Sequence, residues 1–403
     1  MAVGGWLLAR DSARSLVRIG VDRVREAGGG ALPRTREQLA RPETLNALLA
    51  THAGEAGRAW PALRSVRLPG VDFESSNCTN FLVELDFEGG GEGLPDTAYA
   101  KLPCDALATR TFAGALGFWE LECLFCLRIA PRVPIRVPGV YAAVHEGSRF
   151  VLLLENLEAL PGAQLFINRD MAAGTTLERA RRVLEMFAVL HAGFQGLDAA
   201  AREALLPVRH HTYLNPARRA VSLSMQSSAI EACHRKAPEV FDAELAATSR
   251  CAVQEKWQAL GALWFDGPLT LIHGDSHLGN VFEYATPEGP RMGMLDFQAV
   301  QWSKGVRDVQ YFLINSLDPD LLARHESSLI DHYLEASARE GVEHDAAETY
   351  RLYRAFSFQT LTTAVVSFGL GSLTERDGTL DAVLERSVAA SRRLDFAGLL
   401  AEL

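Results

Sequence analysis

Asp275, Asn280 and Asp296 are the residues whose types and spacing point most directly to chemistry. The first two lie five residues apart in His273-Gly-Asp-Ser-His-Leu-Gly-Asn280, and the third opens Asp296-Phe-Gln298. A carboxylate held in a fixed loop can accept the proton of a hydroxyl and aim that hydroxyl at an electrophile. An amide oxygen and a second carboxylate are the donors Mg²⁺ takes, since it draws one or two protein ligands and completes its shell with water and phosphate oxygens. Together they suit phosphoryl transfer, in which a hydroxyl meets a γ-phosphate whose charge is held by metal. Asp275 is then the base, and Asn280 and Asp296 the Mg²⁺ ligands.

Short strands must position these groups. The apolar run Leu269–Ile272 leads into the loop and fixes Asp275. Val281–Tyr284 and Met292–Leu295 read as a hairpin that returns Asp296 to Asn280. His273 reads as a residue that shapes the loop through backbone hydrogen bonds. His277 has two readings, a contact to phosphate or substrate and a brace within the loop. Asp308, in Gly305-Val-Arg-Asp308, reads as an anchor for the loop from the next helix.

Upstream, Phe81, Val83, Leu85 and Phe87 alternate with Leu82, Glu84 and Asp86, a strand with one buried face. Gly89–Pro95 is a turn, and Thr97–Leu102 returns as the second strand of a hairpin. Lys101 ends that strand. It is either a cation for nucleotide phosphates, held by Glu122 or Glu120 on the following helix, or a solvated strand-end lysine. The turn Glu74-Ser-Ser-Asn-Cys-Thr-Asn80 precedes it, and Ser76 and Asn77 either meet phosphate through backbone N–H and hydroxyl groups or form an ordinary Ser/Asn turn. G-x-G-x-x-G does not occur before Lys101, and the chain has no H-E-x-x-H, G-x-S-x-G or Walker A motif. Phe118, Leu121, Phe125 and Ile129 give residues 105–130 a helical period ended by Pro131 and Pro134. Val140–His145 and Phe150–Leu154 read as two more strands.

Beyond Leu154 the pattern is mostly helical. Thr175-Thr-Leu-Glu178 reads as a capping box, and residues 214–233, 237–265, 319–341, 345–371 and 378–402 read as helices, as do 35–50 nearer the start. Tyr350–Ser372 contains Phe356, Phe358, Val365, Val366 and Phe368; most read as core, and the stretch also suits a partly apolar acceptor. Leu8, Leu16, Ile19 and Val24, among Arg14, Arg18, Arg23 and Arg25, suggest a leading basic amphipathic helix, read first as packed or frayed and alternatively as one that binds a membrane surface or a partner. The expected organisation is a helical extension over 1–32, a β-rich lobe over 33–157 and a helical lobe over 158–403.

The bulk properties agree with an ordinary soluble enzyme. The 403 residues are 48% hydrophobic and 22% charged, with a formal net charge of −10. That balance argues against nucleic acid or anionic membrane as the main partner. No apolar run is long enough for stable membrane insertion, and a cytoplasmic location is expected. Cys78, Cys104, Cys123, Cys126, Cys233 and Cys251 do not form a disulfide pattern, and Cys123-Leu-Phe-Cys126 lacks a second ligand pair for zinc, so it reads as two core cysteines.

H-G-D-x-x-x-x-N followed by D-F, with Gly305-x-x-Asp308 downstream, resembles the aminoglycoside phosphotransferase-like superfamily, and most closely its ecdysteroid kinase-like (CHK-like) branch. Residues from about 60 to 375 follow that family's order of elements. The resemblance implies an α+β protein kinase-like bilobal fold, with a small antiparallel sheet and one main helix in the first lobe and a larger helical second lobe. It implies ATP- and Mg²⁺-dependent phosphorylation of a hydroxyl on a small molecule, with Asp275 catalytic, Asn280 and Asp296 on metal, and Lys101 with Glu122 at the nucleotide. Leu153-Leu-Glu-Asn-Leu157 matches the hinge segment, which places Glu155 and Leu157 near the adenine. Gln298 stands where protein kinases have Gly, and no A-P-E motif follows, so no protein substrate is expected. The acceptor is then a steroid- or polyketide-like alcohol, or alternatively an aminoglycoside, a choline-like amine or a sugar. A nucleotide-binding pseudokinase scaffold is the reading from another class.

Overall fold

The computed structural model describes residues 2–29, 32–56, 60–70, 73–74, 77–371 and 378–403. The chain forms two compact units. One contains Leu8–Arg132 and Val137–Ala163, and the other is chiefly Gln164–Leu403.

The first unit is built from α1 (Ala2–Ala27, its first residues belonging to the other unit), α2 (Arg36–Leu39), α3 (Pro42–Ala56), β1 (Leu63–Arg67), β2 (Phe73–Glu74), β3 (Cys78–Phe87), β4 (Thr97–Pro103), α4 (Leu107–Leu116), α5 (Phe118–Leu124), β5 (Val140–Glu146) and β6 (Arg149–Glu155). The sheet runs β1-β3-β4-β6-β5 with β2 on β3, and every pairing is antiparallel. Alternation on β3 sends Phe81, Val83, Leu85 and Phe87 into a core shared with Leu45, Leu49, Ala98, Ala100, Val151 and Leu153. Register sets Lys101 between Asn80 on β3 and Leu152 on β6, in the middle of the sheet. That position buries it.

Several expectations change in detail. Residues 35–50 form two helices, because Thr35 caps α2 in a box with Gln38 and Pro42 starts α3. The expected helix over 105–130 breaks at Gly117, whose left-handed φ of 73° ends α4. It continues through α5 into a π-helical turn at Phe125–Ile129. The turn expected over Glu74–Asn80 is shorter, since Phe73–Glu74 pairs with Thr79 and Asn80. In α1, Leu16 and Val24 are exposed, and the packed face carries Ser15, Ile19 and Asp22. Asp22 accepts hydrogen bonds from the Ser148 N–H and hydroxyl, and Glu26 pairs with Arg149. A search for apolar periodicity overlooks a face held by polar contacts.

The second unit contains β7 (Gln164–Leu165), α6 (Asn168–Ala173), α7 (Leu177–Ala192), α8 (Ala199–Leu205), α9 (Pro216–Lys236), α10 (Ala243–Gln254), α11 (Trp257–Phe265), β8 (Thr270–Ile272), β9 (Val281–Thr286), β10 (Gly289–Met294), β11 (Gln301–Ser303), α12 (Val306–Ser316), α13 (Pro319–Arg339), α14 (Ala346–Leu370), α15 (Thr379–Arg393) and α16 (Phe396–Glu402). Thr176, not Thr175, caps α7 by accepting from the Arg179 N–H. The strands form two small sheets, β10-β9-β7 and β11-β8. Every residue of α12 is buried, so this helix is the axis of the unit. It packs against α7, α13, α14 and α15. Buried Arg386 on α15 donates to the Asn315 carbonyl near the C-terminus of α12 and to the Met171 and Ala172 carbonyls of α6. The Asn315 and Ala172 carbonyls are helix-end acceptors of the kind intrahelical bonds leave open, while the Met171 carbonyl also accepts from the Gly174 N–H. Phe356 stacks on Trp264 and Phe358 on Phe396, and with Val365 they are core residues. Among the described residues no helix is long and apolar enough to cross a membrane.

Candidate active site

Strand β8 delivers the chain into the loop His273–Asn280, and one buried carboxylate shapes that loop. Asp308, in the first turn of α12, is fully buried. Its Oδ2 accepts from the His273 N–H at 2.6 Å, and its Oδ1 accepts from the Gly274 N–H and the Ser276 hydroxyl, each at 3.0 Å. His191 on α7 lies 3.4 Å from Oδ2, and its other ring nitrogen meets the Tyr333 hydroxyl at 2.9 Å. Burial disfavours the ionised form of Asp308, but the hydrogen bond and charge of His191 outweigh it and hold the carboxyl below its ordinary value. Gly274 has φ of 84°, and a Cβ there would lie 2.2 Å from the Ala299 carbonyl oxygen. Both the backbone conformation and the space require glycine.

His273 does what its position suggested. Its Nε2 meets the Leu295 carbonyl at 2.9 Å and its Nδ1 accepts from the Asp275 N–H at 3.2 Å, which together define the tautomer. Its ring also packs edge-on against Phe297. The imidazole therefore ties the Asp275 backbone to the segment that carries Asp296.

The Asp275 side chain keeps 28% exposure. Oδ1 accepts from the Tyr311 hydroxyl at 3.0 Å, and Oδ2 lies 3.7 Å from His277 Nε2 and 3.5 Å from Asn280 Nδ2. Burial opposes its charge, but the nearby His277 and His273 imidazoles and the Tyr311 hydrogen bond prevail, so its pKa lies well below the usual carboxylate range. His277 sits between Asp275 and Asn280 and braces both side chains.

Asn280 ends the loop. Its Nδ2 donates to the Asp275 carbonyl at 2.8 Å and lies 3.3 Å from His277 Nε2. These contacts turn the amide so that its hydrogens face the loop and Oδ1 is left free to accept. Paired β9 and β10 bring Leu295 beside Asn280, where the Leu295 N–H donates to the Asn280 carbonyl at 3.0 Å. Asp296 follows in a left-handed conformation with φ of 63°, a strained setting for a residue other than glycine. Among the described residues no cluster of three or more His, Cys, Asp or Glu could hold a metal by itself. One amide oxygen and one carboxylate fit Mg²⁺ that shares its shell with phosphate, and do not fit zinc.

In the first unit, Lys101 Nζ lies 2.6 Å from Glu122 Oε1, and both side chains are almost fully buried. Of the two expected partners Glu122 makes this contact, and Glu120 lies half-buried in the turn before it. Asn77 is buried, with its carbonyl accepting from the Cys104 N–H and its Oδ1 from the Cys78 thiol. Ser76 lies outside the described residues. Glu155 ends β6, its carboxylate accepting from the Gly139 N–H, and buried Leu157 starts the turn that follows. Cys123 and Cys126 are both core residues.

Tyr311 and Arg307 on α12 were not anticipated. The signal was available in Arg307-Asp-Val-Gln-Tyr311, because a residue three places after Asp308 shares its helix face.

Two outcomes follow. Gly274→Ala should cost about 3 kcal/mol, from the left-handed backbone and the clash with Ala299; denaturant unfolding measures it, and a neutral result contradicts the packing described here. Tyr311→Phe should raise the Asp275 pKa, because the hydrogen bond from the Tyr311 hydroxyl to its ionised carboxylate is lost, read by carboxylate NMR titration. Because Asp275 is depressed in the folded chain, its ionised form favours the fold above the ordinary value of about 4, and that contribution is lost as pH falls through the depressed value.

The family model for the ecdysteroid kinase-like family matches residues 135–340. No curated protein sequence matches the chain. Among solved structures, an ethanolamine kinase from Plasmodium vivax is 13% identical, with 81% of this chain and 82% of that chain covered and a TM-score of 0.47. The GDP complex of aminoglycoside 2'-phosphotransferase-IIIa is 13% identical, with 87% and 99% covered and a TM-score of 0.47. A choline kinase from Cryptosporidium parvum Iowa II is 12% identical, with 84% and 90% covered and a TM-score of 0.47. The family match spans just over half of the sequence and includes the loop, Asp296 and α12; the chain belongs to the ecdysteroid kinase-like family, whose kinase-type chemistry transfers phosphate to hydroxyl groups.

Proposed function

We propose that this protein transfers the γ-phosphate of ATP to a hydroxyl of a small, partly apolar alcohol, with Asp275 as the base. The observation that carries this reading is the setting of Asp275, an ionised and partly exposed carboxylate fixed by Tyr311 on one oxygen and by Asn280 and His277 near the other. Such a group holds an acceptor hydroxyl by accepting its hydrogen bond. A carboxylate with a depressed pKa is a weak base, so it aligns the nucleophile first and takes the proton late, as the new O–P bond forms.

Asn280 Oδ1 and the Asp296 carboxylate would hold Mg²⁺, which when bound offsets the charge of the phosphates. Lys101, set by Glu122, would hold α- and β-phosphate oxygens. Ser76 and Asn77 would contribute phosphate contacts, and the backbone near Glu155 and Leu157 would meet the adenine. Membership in a family named for ecdysteroid kinases favours a steroid-like alcohol over an aminoglycoside, amino alcohol or sugar.

The test is Mg²⁺-dependent ADP release over a panel of steroid and polyketide alcohols, amino alcohols, aminoglycosides and sugars, beside Asp275→Asn. Acceptor-stimulated release should fall by about 10²–10⁴-fold in the variant, the usual range for losing a positioned base. ATP binding without stimulation by any acceptor would favour a nucleotide-binding scaffold instead.

A further inference from the structure

Helix α1 meets its own unit with its polar side. Over Leu8–Ala27, the part of the helix that belongs to the first unit, Ser15, Ile19 and Asp22 are buried. Asp22 accepts from the Ser148 N–H and hydroxyl, each at 2.7 Å, and Glu26 lies 2.8 Å from Arg149. Arg25 pairs with Glu146 at 2.7 Å. Hydrogen bonds and ion pairs hold this stretch, and Ile19 is its only buried aliphatic side chain.

The opposite side is apolar and faces water. Ala13, Val17, Gly20 and Val24 recur at steps of four and three residues, so they form one line along the helix. Leu16 and Val21 lie on either side of that line. Leu16 is 47% exposed, Val17 66%, Val21 47% and Val24 76%. A surface helix ordinarily turns such a stripe toward the core; α1 turns it outward, as a continuous patch rather than scattered residues. The borders of the patch are basic. Arg14, Arg18 and Arg25 follow Val21 around the helix, Arg23 lies beyond Leu16, and all four are exposed. The acids of this stretch are engaged elsewhere: Asp22 is buried, Glu26 pairs with Arg149, and Asp11 meets Arg10 and Arg14. The net charge of −10 is therefore not the charge that this face presents.

An apolar strip with cationic borders complements an anionic lipid surface, where aliphatic side chains enter the acyl boundary and guanidinium groups meet phosphates. A second copy of the same face is opposed, because two such helices would bring arginines against arginines. Protein partners are held chiefly through aromatic anchors seated in pockets, and residues 13–25 contain no aromatic side chain.

We propose that α1 docks on an anionic bilayer, lying in its interfacial plane with Leu16, Val17, Val21 and Val24 in the lipid and Arg14, Arg18 and Arg23 at the headgroup phosphates. The test mixes the full chain with vesicles of phosphatidylcholine alone, or with vesicles that also carry phosphatidylserine, and follows binding by flotation. The anionic vesicles should bind the wild type at least about ten-fold more tightly, and Arg18→Gln with Arg23→Gln should remove about 30-fold, the effect of two arginines near an anionic surface. Val17→Gln with Val24→Gln should weaken binding by at least about ten-fold through lost apolar burial. All four positions are exposed, so circular dichroism should show both variants folded. Failure of the wild type to float with anionic vesicles, equal binding to the two compositions, or undiminished binding of the folded valine variant would each overturn the proposal; the first two need no variant. Dimerisation that the valine variant loses, without binding to vesicles, would assign the face to a second copy instead.

Discussion

The second unit depends on the Asp308 carboxylate. Four groups converge on it, three from the loop and one from α7, and it is fully removed from water. A buried carboxylate persists as an anion only when hydrogen bonds replace the water it has lost. Here those donors are the backbone N–H groups of the loop itself. Stabilising the anion and fixing the loop are therefore one interaction. Removing either partner would leave charge or N–H groups buried without partners, so the geometry of Asp275 and Asn280 follows from the ionisation of a residue on a later helix.

From that anchor the order passes outward through side chains with two ends. His273 links the Asp275 backbone to Leu295, and Asn280 links the Asp275 carbonyl to the start of β9. Tyr311, one turn after Asp308 on the same helix, reaches back to the Asp275 carboxylate. One helix thus sets both the backbone and the side chain of the proposed base, and Arg386 ties down its far end. In the first unit a different principle operates. Lys101 and Glu122 neutralise each other in a setting too dry for either alone, and such a pair contributes more to fixing an orientation than to net stability.

The coarse fold and a set of candidate site residues were legible in the sequence; the contacts between elements were not. Asp275, Asn280 and Asp296 stood out because phosphoryl transfer restricts both residue type and spacing, and the β9–β10 hairpin that joins them followed from alternation. For Lys101 the residues alone left Glu122 and Glu120 open as partners, the family resemblance favoured Glu122, and Glu122 makes the contact. Contacts that cross from one element to another were harder to read. The packed face of α1 uses Ser15 and Asp22, which no apolar period picks out. Gly117 sits inside a helical pattern, and its left-handed conformation appears only once the chain has turned there. Arg307 reads as a solvated charge in any local window, because its burial comes from α14, about fifty residues further on.

The most direct test of the central claim follows the phosphate itself. The protein would be incubated with Mg²⁺, ATP labelled in its γ-phosphate and a hydroxylated acceptor, and the products identified by mass spectrometry. The account predicts the label in a phosphate monoester of the acceptor with the wild type, and its loss with Asp275→Asn. Label recovered only in ATP or inorganic phosphate across steroid, polyketide, amino-alcohol and sugar acceptors, from folded protein that binds ATP, would contradict it.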